Sequence, residues 1–431
     1  MRRAGFLLIA LLLAAGASAR ETTYVYPPPK HTLGFERVGN WELKLFLGMG
    51  ASYANPQGLA AVKLKAQDDP DDKGDDVFLT LFAVNSDLGE IVYNPTRFEV
   101  GRYGRRGTGR GEFLRPLGIA ANEDGQVAVA DTGNRRVVFL AMGESGLQWE
   151  GTAGEGQQGF CPVDLAWGGG VFWCLDASQG CIFRFSGEGE LLGRWPLADG
   201  ATLESPRGLC VLFPEDDWVR SGDFALLVVD RDGQRLQLFD RRGRLMQARM
   251  LDQLMEPPGQ FTYPVGDLYG QFVLADSVKG RLLKLDPRLQ PLDLLETVDD
   301  DSRPFQHPRG LAIWRRFGQL FVAEEEGGAY LWTGTDLRGA RVSRGTRNGR
   351  ESLLLEYFLT EPSLVSVYAR VQGQEIRISA ERRRGRGDRR HWLPLDDTIR
   401  GADDLVIKAR PSYSAKKILT VTREIPLEGR F

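Results

Sequence analysis

The sequence predicts an all-β protein: a six-bladed β-propeller followed by a small β-sandwich. Three observations carry this reading. A short phrase recurs six times, its copies are spaced near the length of one four-stranded unit, and after Trp332 the phrase gives way to short runs of alternating polar and apolar residues. Composition agrees: 52 glycines, 10% aromatic residues and no long Leu/Ala/Glu/Lys stretches in 431 residues favour many short strands joined by turns.

The chain opens on Arg2-Arg3, an apolar run over 6–15, and Ala17-Ser18-Ala19. Charged start, apolar centre and small-residue site are the pattern of a secretory leader, so residues 1–19 are expected to be removed after Ala19. The run is shorter than the roughly 20 residues a membrane span needs, and no second run of spanning length follows. The mature chain is therefore expected to be exported, without a transmembrane segment, to the periplasm, cell surface or medium. Residues 20–39 read as an extension. Trp41-Glu-Leu-Lys-Leu-Phe46-Leu47 alternates, and is expected to be an outer strand that closes the ring.

The propeller is expected over 40–335. Its clearest copy reads Phe113-Leu-Arg-Pro116-Leu-Gly118-Ile119-Ala120, then Asn122-Glu-Asp-Gly125, then Val127-Ala-Val-Ala-Asp131-Thr-Gly-Asn134-Arg135-Arg136-Val137. That is strand, Asp-Gly turn, strand, Thr-Gly-Asn turn, strand. The phrase proline stands at 56, 116, 162, 206, 264 and 308, at intervals of about 44 residues with two intervals about 14 longer. The additions fall at the acidic loop 68–76, at 213–223 and around 252–260. One blade alone leaves an apolar face bare, so the six must close into a ring to bury it.

After Trp332 a linker is expected over 336–350, followed by a sandwich over 351–431 with strands at 353–358, 364–371, 375–379, 405–409 and 418–422. The basic run Arg382-Arg-Arg-Gly-Arg-Gly-Asp-Arg-Arg390 reads as an exposed hairpin loop of that sandwich.

The second copy, from Gly111-Glu-Phe113 through Pro116-Leu-Gly118-Ile119-Ala120 to Val129-Ala-Asp131-Thr-Gly-Asn134-Arg135-Arg136-Val137, resembles the NHL repeat; the other five copies are degenerate. The resemblance covers roughly 40–335. It implies a six-bladed propeller of a kind used to bind proteins, peptides, glycans or, in some members, RNA. The order Tyr357-Phe358, Pro362-Ser363, Gly373, Trp392, Gly401 resembles the immunoglobulin-like domain of flagellar hook-capping (FlgD) type, with His391-Trp392-Leu393-Pro394 in place of the usual Trp-Asp-Gly.

Net charge is -3 at pH 7, so no global basic field draws the chain to nucleic acid, and nucleic acid is not an expected partner. No nucleophile elbow, P-loop or HExxH motif occurs, and with three histidines a multi-histidine zinc site is excluded by count. No catalytic or metal-binding residue is therefore assigned. Asp131, Asp176, Asp230, Asp276 and Glu324 recur at one blade position. Each ends an apolar run and starts a turn, where carboxylates cap backbone N–H groups, so they are expected to be structural; calcium held by such an acidic ring is the alternative. Arg115, Arg207 and Arg309 beside the phrase, with Arg135, Arg136 and Arg235 on the turns, are the candidate ligand-binding rim. Trp167, Trp173, Trp195, Trp218, Trp314 and Trp332 offer ring faces, most of them expected in blade core. In an oxidising compartment Cys161, Cys174, Cys181 and Cys210 are disulfide candidates, with three pairings open. The functional expectation is an exported, non-catalytic scaffold binding a protein, peptide or glycan, with the sandwich as attachment or spacer in a cell-surface assembly. A metal-dependent lactonase, hydrolase or lyase of the six-bladed class is the alternative.

Overall fold

A computed structural model describes residues 24–25, 37–69, 71, 78–96, 99–155, 157–255, 259–297, 304–412 and 419–427. The expected leader, His31 and most of the acidic loop 68–76 lie outside the described residues. The chain divides into two compact units, Tyr24–Gly334 with Pro411–Leu419, and Thr335–Arg410 with Thr420–Phe431.

Among the described residues the first unit holds six antiparallel sheets of propeller type. Their inner strands are Pro56–Val62, Ile119–Ala121, Pro162–Gly168, Gly208–Leu212, Phe261–Gly266 and Leu311–Trp314, each followed outward by its hairpin partner. Each inner strand lies beside the next, and Leu311–Trp314 lies beside Pro56–Val62, so the ring is closed. The apolar core is distributed between blades: one cluster joins Val84 and Ile91 to Val129 and Leu140, the next joins Val137 and Phe139 to Phe172 and Phe183, and the pattern continues round the ring.

Closure comes from a different segment than expected. Tyr24–Val25 and Arg37–Gly39 both pair with Gly327–Thr333 of the sixth blade, Tyr24 opposite Thr333 and Val38 opposite Gly328. Residues 41–47 instead belong to a helix, Asn40–Leu47. Glu42 accepts the Gly39 N–H at 2.8 Å and starts the first turn. Leu43 and Leu47, four residues apart, then pack on Val92 and Val100 of the first blade, while Trp41 is 67% exposed. Over seven residues the alternation fits a helical face as well as a strand, and the edge it was expected to cover is already taken.

One polar contact repeats in every blade. The last residue of the second strand accepts a hydrogen bond from the backbone N–H just ahead of the inner strand: Asn85 from Ala54 at 2.7 Å, Asp131 from Leu114 at 2.8 Å and Asp176 from Cys161 at 3.0 Å. Asp230 accepts from Glu204 at 2.8 Å, Asp276 from Gln260 at 3.0 Å, and Glu324 from Gln306 at 2.8 Å. Five residues further on an arginine adds a second hold in three blades: Arg136 on Asp131, Arg235 on Asp230 and Arg281 on Asp276.

This contact corrects the reading of the fifth repeat. Counted from it, the inner-strand residues two positions before the latch on the partner strand are Leu59, Ile119, Leu165, Leu209, Pro264 and Leu311. Pro264 thus occupies the aliphatic position, and Phe261-Thr262-Tyr263 stands where the other blades carry Pro-x-Gly or Pro-x-Asp.

The second unit is a two-sheet sandwich. One sheet is ordered Leu337–Arg347, Arg350–Leu359, Gly387–Pro394; the other is ordered Gln374–Arg384, Ser363–Val371, Asp404–Pro411, Val421–Pro426. Leu353, Leu355, Tyr357, Val365, Val367, Leu405 and Ile407 fill the space between them. The expected linker is therefore mostly strand, joined to its partner by a tight turn with Asn348 at φ 51° and Gly349 at φ 74°. The basic run is not a loop either: Arg382, Arg383 and Arg384 end one strand, and Arg389 and Arg390 lie in the next.

Asp131→Ala removes the acceptor of the Arg136 Nε–H, in a side chain 3% exposed, and of the Leu114 N–H. Removing one partner of such a buried pair is expected to cost about 3–5 kcal/mol in chemical denaturation, with Asp131→Asn losing less.

Candidate binding site in the central channel

The six inner strands enclose a cavity of about 250 Å³. At the level of the recurring phrase the equivalent positions are Gly58, Gly118, Asp164, Gly208, Tyr263 and Gly310, of which Gly58, Asp164 and Tyr263 line the cavity. Glycine is required where neighbouring inner strands meet: a Cβ on Gly118 would sit 2.4 Å from the Asp164 Cα, and one on Gly310 1.9 Å from the Gln57 carbonyl oxygen. Adjacent strands are tied here, Gly58 N–H to Leu117 O at 2.9 Å and Gly118 N–H to Val163 O at 3.1 Å. Between the third and fourth blades a side chain makes the tie. Leu209 N–H donates to Asp164 Oδ2 at 2.8 Å and Leu165 N–H to Oδ1 at 2.8 Å.

Asp164 is 4% exposed and lines the cavity. Burial drives its carboxyl well above the ordinary aspartate value, the two N–H donors opposing. Tyr263 lines the same level and donates to Gln57 Oε1 at 3.3 Å. Burial, and after it the Asp164 charge, push the Tyr263 hydroxyl well up, with Arg207 and Arg309 acting against them.

At the opposite end the cavity is lined by Trp167, Trp218, Trp314, Arg315, Glu123, Asp216 and Asp217. Arg315 reaches across from the sixth blade, donating to Gly266 O at 3.0 Å and Val211 O at 3.4 Å. Both Asp216 oxygens accept the Gly169 N–H, at 3.0 and 3.1 Å. Arg316 lies 4.9 Å from the centre of the Trp218 ring. Trp218 has φ 59°, a left-handed conformation that costs a bulky residue about 1–3 kcal/mol, so its loop holds the indole here against a local preference. The Trp314 indole N–H is buried without a partner among the described residues.

The arginines expected to form one rim are divided. Arg136 and Arg235 are withdrawn into the latches, each held by the aspartate five residues before it. Arg115 and Arg135 are exposed turn residues with φ 49° and 55°. Arg207 pairs with Asp232 at 3.1 Å, and Arg309 donates to Asn55. Arg315 and Arg316 lie just past the far end of the inner strand, outside the recurring phrase, so the repeat does not point to them. The usable signal was Trp314-Arg315-Arg316-Phe317, aromatic and basic where other blades turn on Asn122-Glu123 or Gly168-Gly169.

The five recurrent acids are consumed by the latches of five blades, one in each, and do not converge. They do not fit a calcium ion, and among the described residues no three His, Cys, Asp or Glu side chains gather as a metal ion would require. All four cysteines are free in this structure. Burial pushes the Cys181 and Cys210 thiols up to about 11, which leaves them poor nucleophiles.

The second blade's inner strand, latch and arginine hold decide the comparison with known repeats. Residues 113–138 match the NHL repeat. Among solved structures, a gluconolactonase from Xanthomonas campestris is similar at TM-score 0.46 and 14% identity, over 65% of this chain and 87% of that one. Virginiamycin B lyase from Staphylococcus aureus is similar at TM-score 0.41 and 13% identity, over 59% and 76%. Regucalcin, a calcium-binding protein from Agrobacterium tumefaciens, gives TM-score 0.44 and 14% identity, over 65% and 90%. No curated protein sequence matches the chain.

The raised Asp164 carboxyl has a consequence for stability. A carboxyl whose folded pKa lies above its unfolded one, 3.8 for this group, stabilises the fold while protonated, and that contribution is lost as pH rises through the folded value. Thermal melts are expected to fall with rising pH above the ordinary aspartate range. The slope should be shallower in Asp164→Gly, which keeps Asp131, Asp216 and Asp267, whose carboxyls burial also raises.

Proposed function

We propose that the protein is an exported, non-catalytic scaffold that binds a protein, peptide or glycan at the propeller face carrying the wide end of the channel. The observation that carries this reading is the trio of indoles, Trp167, Trp218 and Trp314, lining one cavity. Flat apolar rings with a polar edge suit sugar rings and peptide side chains. The strained backbone of Trp218 supports a functional placement of that ring. The sandwich, which we take to be a FlgD-type immunoglobulin-like module, serves as attachment or spacer in a surface assembly.

Lactonase or lyase chemistry of the six-bladed class would use converging metal ligands, and the described residues supply no such group. Thermal melting is expected to be insensitive to calcium; a large upward shift reversed by EDTA would overturn the scaffold reading in favour of the enzyme. Titration with oligosaccharide and peptide panels is expected to change tryptophan fluorescence saturably. Trp218→Ala should weaken that binding about tenfold with little change in melting temperature.

A further inference from the structure

We propose that the channel receives a slender cationic group of its ligand, an alkylammonium or a guanidinium, seated against the Asp164 carboxylate and the Tyr263 hydroxyl. This rests on the channel being the binding site, and names the chemistry it selects.

The first ground is the place of Asp164. Four of the six blades have glycine at this level, and the third instead puts a carboxyl into the wall of the cavity. Each Asp164 oxygen accepts one backbone N–H, at 2.8 Å. A carboxylate offers about four acceptor positions, so roughly half its capacity stays open. Among the described residues no arginine, lysine or histidine pairs with it. A buried carboxyl without a cation holds its proton, and a cation brought by a ligand would stabilise the ionised form and take the place of that proton.

The second ground is the charge along the cavity. Asp164, Glu123, Asp216 and Asp217 line it against one cation, Arg315. Arg315 spends donors on the carbonyl oxygens of Gly266 and Val211. A cleft with this balance concentrates cations and repels anions. The third ground is the aromatic surface: Trp167 and Trp314 line the same cavity, and indole faces attract ammonium and guanidinium groups. Size then narrows the choice: a cavity of about 250 Å³ suits a linear side chain better than a sugar chain.

Two sources present this chemistry: a basic side chain of a peptide, and a free polyamine. Calorimetry on the full mature chain separates them, with Nα-acetyl-lysine methylamide, its arginine analogue and spermidine as probes, and the norleucine analogue as neutral control. At least one cationic probe is expected to bind roughly tenfold or more tighter than norleucine. Preference for the amino-acid probes identifies a peptide side chain, and preference for spermidine a polyamine. Asp164→Gly, the residue four other blades carry here, should abolish the preference, and Tyr263→Phe should weaken it while leaving the fold, checked by melting, intact.

Cationic probes binding no tighter than norleucine would overturn the proposal, as would a preference that survives in Asp164→Gly. If norleucine and cations bind equally and Trp218→Ala weakens both, the channel stands as a binding site and only its charge preference falls. If no peptide, polyamine or oligosaccharide perturbs the tryptophan fluorescence, the binding-site reading falls with it.

Discussion

Every blade depends on one hydrogen bond, from the N–H just ahead of the inner strand to the side chain that ends the second strand. It closes the polypeptide where the chain crosses from one blade to the next, and satisfies a backbone donor that burial would otherwise strand. The pair of positions five residues apart is adapted blade by blade. Asp131 holds Arg136 and Asp276 holds Arg281. In the first blade the roles reverse, with Asn85 Nδ2 donating to Glu90 Oε1 at 2.7 Å. Cys181 and Ala329 take the arginine's place in the third and sixth blades. Burial raises the Asp131 carboxyl in spite of its arginine, so the pair contributes a defined geometry more than net electrostatic energy.

Much of the ring was legible because it is written in repeated local chemistry. Proline before the inner strand, glycine where strands approach, and an acid at the end of the next strand are each set by a local constraint, and the capping role assigned to Asp131 and its counterparts is the one the structure shows. The misplaced elements are those where local pattern was ambiguous. Residues 41–47 fit two periods, and tertiary competition for the sixth blade's edge decided between them. Asn348-Gly349 carries a hairpin signal, but its arginine-rich flanks read as linker, since strand partners cannot be inferred from composition.

The site was less legible for a different reason. The arginines beside the phrase were chosen by proximity to the repeat, yet a repeat marks what holds the scaffold, and Arg136 and Arg235 do that work. On the proposed reading, function is carried where the repeat is broken: Asp164 and Tyr263 in place of glycine, and Trp314-Arg315-Arg316 in place of a turn. Asp164 was visible as a variant of the phrase. Tyr263 was hidden by Pro264, which drew the frame onto the wrong residue. A propeller with near-identical blades has a channel of averaged chemistry, and the departures give this one a direction, with an acid and a phenol at one end and indoles at the other.

The join between Arg37–Gly39 and Gly327–Thr333 links residues nearly three hundred positions apart. Loop-closure entropy rises with that separation, so the seam is among the costlier contacts in the ring to form. It also makes the N-terminal strands a latch of the mechanical kind. Tension applied to that end acts first on a few antiparallel bonds at the edge of one blade, while the interblade cores bear load only after the ring has been unzipped there.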